Sequence, residues 1–83
     1  MRYFVYILHS KKKDRYYIGS CSDLKERLKR HNAGATISTK NGRPWEIVYQ
    51  ETFEDKIQAI RRENYIKKMK SRDFIKGLIS QSR

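Results

Sequence analysis

Tyr6, Tyr17, Arg27, His31 and Glu63 are the side chains of this sequence whose types and spacing carry chemistry. Arg27 and His31 stand one helical turn apart in "DLKERLKRHN" and share an arc with Leu24 and Leu28 when the segment is turned by about 100° per residue. Lys25, Glu26, Lys29 and Arg30 fall outside that arc, where solvated charges belong. Two readings of the pair stay open: an arginine that snorkels beside a satisfied boundary histidine, or two groups turned toward a shared site. Glu63, in "AIRRENYI", falls between Ala59 and Ile60 in angle and beside Ile66. A carboxylate inside an apolar stripe costs several kcal/mol unless it is compensated, and either a salt bridge or a divalent metal ion compensates it.

Phosphodiester hydrolysis has a use for each of these types. A phenol can deprotonate water if a nearby cation or metal depresses its pKa. An arginine grips a non-bridging phosphate oxygen and offsets the charge that builds in the transition state. A histidine relays or accepts a proton. A lone carboxylate holds Mg²⁺, a hard cation that keeps most of its waters.

The elements that must position these groups are short. "YFVYIL" (3–8) and "YYIG" (16–19) read as strands flanking the polar "HSKKKD", which makes a hairpin. A register pairing Tyr6 with Tyr17, Leu8 with Arg15 and Ser10 with Lys13 leaves a tight turn at Lys11 and Lys12 and sets both phenols on one face. A helix follows, capped by Ser22 or Asp23 and ended by Asn32 and Gly34. Residues 35–44 read as a polar loop broken by Gly42 and Pro44, and "WEIVYQ" (45–50) as a third strand. Thr52 is expected to cap a long helix with Glu54 and Asp55 in its first turn, and Ser71 to open a last short helix, "RDFIKGLI". The order is β-β-α-β-α-α. The expected fold is α/β in the α+β sense: a three-stranded antiparallel sheet flanked by helices, one domain over residues 1–83.

Twenty basic against nine acidic residues give a net charge of +11, an excess that points to a polyanionic partner, nucleic acid ahead of an anionic membrane surface. No stretch places exposed Trp or Phe opposite its lysines, and "YFVYIL" is far short of the roughly 20 residues that span a bilayer. The single cysteine, Cys21, excludes an internal disulfide and a multi-cysteine zinc site and fits a reducing, cytoplasmic setting. Lys11, Lys12 and Lys13 at the hairpin tip, Arg43, and Lys67, Lys68, Lys70 and Arg72 after Glu63 are the candidates to track a phosphate backbone. Trp45 at the head of a strand reads as core rather than as a base-stacking platform, Tyr3, Tyr16, Tyr49 and Tyr65 as packing or boundary residues, and His9 as a loop residue.

With these residues in order, the chain resembles the GIY-YIG nuclease superfamily, and within it the small stand-alone group related to the catalytic domains of structure-specific endonucleases. "YIG" stands at Tyr17-Ile18-Gly19; the first triplet is matched by Phe4-Val5-Tyr6, which keeps its tyrosine and has Phe4 in place of the first glycine. "DLKERLKRHNAG", "RPWEIVYQETF" and the glutamate of "AIRRENYIKKM" continue the likeness over about residues 3–79. The resemblance implies a three-stranded antiparallel fold with helices and an endonuclease acting on DNA, in particular structured or damaged DNA in repair. It implies that Tyr6 and Tyr17 are the paired motif tyrosines, one of them positioning or deprotonating the nucleophilic water. Arg27 would bind phosphate, His31 would be the histidine that some branches carry, Glu63 would hold one Mg²⁺ or Mn²⁺, and Gly19 would keep the sheet open beside the site. Asn64 points about 100° away from Glu63 on the helix and is not assigned the role of the later asparagine of some family enzymes. A catalytically silent nucleic-acid-binding module and a nuclease subunit that needs a protein scaffold are the alternatives.

Overall fold

The computed structural model describes residues 2–81; Met1, Ser82 and Arg83, the ends of the unit expected from the sequence, lie outside the described residues. Strands β1 (Tyr3–Ser10), β2 (Arg15–Cys21) and β3 (Trp45–Phe53) form an antiparallel sheet in the order β2-β1-β3, with helices α1 (Leu24–Asn32), α2 (Lys56–Met69) and α3 (Arg72–Gln81) around it. The expected fold class and strand count hold. β1 is the central strand, and Val5, Tyr6, Ile7 and Leu8 are all at most 1% exposed, which is why "YFVYIL" reads as an unbroken apolar run instead of an alternating one: both faces of this strand are covered.

The hairpin register differs from the expected one by two residues. Tyr6 pairs with Gly19, Leu8 with Tyr17 and Ser10 with Arg15. The turn takes four residues, Lys11–Asp14, with Asp14 at φ 51° and the Ser10 hydroxyl accepting the Lys13 N–H at 3.1 Å. A two-residue shift preserves facing, because the side-chain period of a strand is two. Tyr6 and Tyr17 therefore still share a face, as diagonal rather than direct neighbours.

The two faces are covered differently. Tyr3, Val5 and Ile7 point with Ile18, Tyr49 and Phe53 into an apolar core closed by Ala59 and Ile66 of α2 and Ile75 of α3. Phe4, Tyr6, Leu8 and Ser10 point to the other face, under α1 and a short 3₁₀ helix, Ile37–Gly42. That 3₁₀ helix lies inside the segment read as a plain polar loop, and its Thr39 and Gly42 are buried. A bulge in β3 opposite Ile7 and Leu8 turns Trp45 and Ile47 toward the α1 face and Tyr49, Glu51 and Phe53 toward the apolar core. Without it, all five odd-numbered residues would point one way.

Capping follows the sequence in two helices out of three. Asp23 accepts the Glu26 N–H at 3.1 Å, and Ser71 accepts the Phe74 N–H at 3.1 Å. α2 is capped by Asp55, whose carboxylate accepts the Ile57 N–H at 2.7 Å; Thr52 is a strand residue, because β3 runs three residues longer than "WEIVYQ". Gly34, just past α1, adopts φ +80°, the left-handed conformation that ends a helix. Asn32, the last residue of α1, clamps β3: its side-chain carbonyl accepts the Trp45 N–H at 2.6 Å and its amide donates to the Trp45 carbonyl at 3.0 Å. That pair of hydrogen bonds fixes the end of α1 against the sheet and with it the helical arc carrying Arg27 and His31.

Candidate active site

The residue that α1 buries most completely is a histidine. His31 is 1% exposed, whereas Leu24 and Leu28, expected to face the core with it, are half-buried. His31 ring Nδ1 lies 2.8 Å from the Thr39 hydroxyl and Nε2 lies 3.2 Å from the Tyr6 hydroxyl. Donor counting assigns the protons. The Thr39 hydroxyl donates its one proton to the Thr36 carbonyl at 3.3 Å and so accepts from Nδ1–H. Nε2 is left as the acceptor of the Tyr6 O–H, a chain that runs Tyr6 to His31 to Thr39 to Thr36. Thr39 is itself held in place by the Trp45 indole N–H, which donates to its carbonyl at 2.7 Å. Trp45 is 6% exposed and is a core residue, as its position at the head of a strand implied.

Burial, helped by Arg27 and Arg30, holds the His31 pKa below the ordinary histidine value, so the ring is neutral at neutral pH. Burial also pushes the Tyr6 phenol well above its ordinary value, with Tyr17 adding to the effect and the guanidinium of Arg27 beside it working in the opposite direction. The lowered pKa that a free tyrosine base requires is therefore absent at Tyr6. Its proton has instead a ready acceptor in Nε2.

Gly19 makes room for this arrangement. A Cβ at position 19 would lie 2.4 Å from the Tyr6 hydroxyl, so the phenol occupies the space that any side chain there would take. Tyr17 flanks the pair: its ring centroid is 6.3 Å from that of Tyr6 and 4.8 Å from that of His31. Tyr17 and Arg27 are partly exposed, while Tyr6 and His31 lie behind them.

Glu63 approaches from the other side of the sheet. One carboxylate oxygen accepts the Ser20 hydroxyl at 2.5 Å and the other pairs with Lys67 at 2.6 Å, one turn along α2. Ser20 pairs with Val5 and so faces the α2 side, while its neighbour Gly19 faces Tyr6. The structure thus brings Tyr6, Tyr17, Arg27 and His31 together on one face and sets Glu63 around the outer edge of β2. At the end of that strand a cleft of about 190 Å³ is lined by Tyr3, Ser20, Cys21, Ser22, Arg27, Lys56 and Ala59; of the two sets it holds Arg27 directly and Glu63 only through its hydroxyl partner Ser20. Glu63 is a compensated charge, not the isolated carboxylate its place in the stripe implied. Ile60, its supposed apolar neighbour, is 39% exposed.

The donor set at Glu63, a carboxylate beside a hydroxyl, is oxygen-only and suits a hard divalent ion that keeps its waters. No group of three or more His, Cys, Asp or Glu side chains that would form an all-protein metal cage occurs among the described residues.

Other assignments change. His9 lies within β1 and contacts Asp14 at 3.1 Å. Asp14, held below its ordinary pKa by His9 and Arg72, also receives Arg72 at 3.1 Å. Lys67 and Arg72, two of the candidate phosphate contacts, are thus paired with carboxylates. Thr39 and Ser20, which orient His31 and Glu63, carried no sequence signal beyond being small polar residues.

The GIY-YIG catalytic domain pattern matches residues 2–76 of this chain. The chain belongs to the GIY-YIG family. Relatives include a UPF0213 protein of Clostridium perfringens, 39% identical over 80 residues that cover 95% of this chain and 85% of the relative. The UPF0213 protein YazA of Bacillus subtilis is 37% identical over 68 residues, covering 81% of this chain and 68% of YazA. The solution NMR structure of the UPF0213 protein BH0048 from Bacillus halodurans superposes with a TM-score of 0.62 at 33% identity, over 98% of this chain and 85% of that one. The GIY-YIG fold is a nuclease-type fold. No helix among the described residues is long and apolar enough to cross a membrane.

Proposed function

We propose that this GIY-YIG protein is a divalent-metal-dependent endonuclease that hydrolyses phosphodiester bonds, with DNA favoured over RNA and structured or damaged DNA as the substrate class. The observation that carries the reading is the buried Tyr6–His31 hydrogen bond, with a neutral histidine as proton acceptor, directly behind Arg27. A pair of this kind has no packing advantage over two apolar residues and an evident use in moving a proton.

Arg27 binds the scissile phosphate from the cleft at the end of β2. Tyr6 takes a proton from the attacking water as its own O–H proton passes to Nε2 of His31. The imidazolium that results keeps its Nδ1–H on Thr39, which fixes the ring through the transfer. Because burial disfavours a free phenolate, the two proton movements are coupled. Tyr17, partly exposed beside both rings, orders the water and the phosphate. Glu63, oriented by Ser20, would hold one Mg²⁺ or Mn²⁺ once Lys67 swings away. The chemistry that such an ion supplies when bound is neutralisation of the charge building on the phosphate oxygens.

The test is cleavage of labelled flap, fork and duplex substrates with Mg²⁺ or Mn²⁺. Arg27→Ala and Glu63→Gln are each expected to lower kcat on the order of a hundredfold or more, in line with loss of a group that stabilises transition-state charge. Turnover that survives both substitutions contradicts the assignment. Salt-sensitive binding with no turnover under any metal condition would instead identify a silent binding module.

A further inference from the structure

The cleft at the end of β2 is smaller than another concavity of the molecule. A pocket of about 450 Å³ lies between the hairpin tip and the 3₁₀ helix, lined by Lys12, Lys13, Lys40, Asn41 and Arg43. Pockets for neutral small molecules are lined mainly by apolar and aromatic groups; this one presents four cations and no carboxylate. The ion pairs among the described residues lie elsewhere, at His9–Asp14, Arg62–Glu51, Lys67–Glu63 and Arg72–Asp14. Like charges gathered without counter-charge repel one another, and an anion removes that cost.

The pocket also has a direction. A second concavity of about 300 Å³ shares Lys13 and Asn41 with it and continues past Arg15 to Tyr17. Tyr17 stands 4.8 Å, ring to ring, from His31. A continuous cationic track therefore runs from the hairpin tip to the edge of the tyrosine–histidine cluster.

We propose that this pocket seats the backbone phosphates of the nucleic-acid strand flanking the scissile bond, anchoring the substrate while the cluster beside Arg27 acts on it. The assignment rests on nucleic acid being the substrate. It separates the basic residues into two groups: Lys12, Lys13, Lys40 and Arg43 contact the strand, whereas Lys67 and Arg72 are occupied by carboxylates. Lys40, on the 3₁₀ helix, joins the set only because the fold brings that segment to the hairpin tip.

The test is fluorescence anisotropy with a labelled oligonucleotide in EDTA, where binding is read without turnover. Lys12→Gln/Lys40→Gln is compared with a charge-matched control, Lys25→Gln/Lys76→Gln, both of whose lysines are exposed, on α1 and α3. The first pair is expected to weaken binding on the order of tenfold and to flatten the dependence of log Kd on log salt by roughly 0.7–0.9 for each lysine–phosphate pair removed, while the control changes little. Thermal melts of all variants are expected to match the wild type, since all four lysines are exposed. Equal weakening by the two pairs, or none by either, overturns the pocket and leaves the hydrolase reading to its own cleavage assay. A wild-type chain that binds no oligonucleotide overturns both.

Discussion

Under α2 and α3 the sheet is closed by Val5, Ile7, Ala59, Ile66 and Ile75, an apolar cluster. Under α1 and the 3₁₀ helix it is closed by Tyr6, Ser10, His31 and Thr39, all at most 1% exposed, together with Trp45. Among the described residues no buried side-chain polar atom lacks a hydrogen-bond partner, so the second face is fully satisfied. The two faces stabilise the same central strand by different means. Apolar burial is non-directional and tolerates repacking. A hydrogen-bonded network depends on every member, because losing one leaves the others desolvated and unpaired. The first face holds the fold; the second holds a set of groups in one protonation pattern.

Substitutions separate these roles. The largest stability loss is expected on the apolar face. Ile66→Ala should cost about 2–5 kcal/mol. In a chain of this size that lowers Tm by roughly 4–8 °C per kcal/mol, measured by calorimetry. Next comes Gly19→Ala. Its Cβ would collide with the Tyr6 phenol, so the ring must shift away from His31. Overpacking of this kind costs about 1–3 kcal/mol. Cleavage should fall much further than the modest Tm change accounts for. An active, unaltered Gly19→Ala protein would break the link between Tyr6 placement and chemistry.

Thr39→Val has a smaller structural effect, about 1–2 kcal/mol, because Trp45 bonds the Thr39 backbone carbonyl and not its side chain. Its diagnostic readout is the pH–rate profile. In the wild type, His31 must be neutral to accept the proton, and its pKa is lowered, so activity should hold through neutral pH and fall only below the ordinary histidine range of about 6.5. Loss of the Thr39 acceptor removes a partner of Nδ1–H and should move that acid limb to still lower pH while reducing the plateau rate. Stability follows the same sign. A histidine with a depressed folded pKa binds fewer protons than the unfolded chain, so its contribution is present above the unfolded value and is lost as pH falls through the folded one. Urea midpoints measured across this range should show that loss in the wild type, with Ile66→Ala shifting the whole curve and leaving its shape alone.

Glu63→Gln is expected to do least to the fold. It removes an ion pair to Lys67, whose side chain is 48% exposed, and keeps a partner for Ser20, so the cost should stay under about 1 kcal/mol. Its effect on metal-dependent cleavage should be among the largest. A melt showing a large loss would instead make Glu63 a structural ion-pair member of the apolar face.

Much of this was legible in the sequence. Strand composition and helix caps located the elements, and the helical arc singled out Arg27 and His31. What stayed hidden depended on contacts between distant segments. The four-residue turn, with Asp14 at positive φ, displaced the hairpin register by two, and nothing local announces a left-handed aspartate. The 3₁₀ helix over Ile37–Gly42 is too polar to show a periodic stripe, yet it delivers Thr39 to His31 and Lys40 to the basic pocket. Asp55 outranks Thr52 as a helix cap, and Thr52 is taken up by the sheet because β3 pairs with β1 as far as Phe53. The bulge that turns Trp45 inward is equally invisible, because it is set by the partner strand.

The proposal stands on Glu63 and Ser20 holding a divalent ion close enough to Arg27 for both to act on one phosphate. Paramagnetic broadening of backbone and side-chain NMR signals by Mn²⁺ tests it most directly. Broadening is expected to centre on Ser20 and Glu63, to reach Gly19 and the Arg27 side chain, and to disappear in Glu63→Gln. Signals that broaden elsewhere, or that broaden equally in Glu63→Gln, would contradict it.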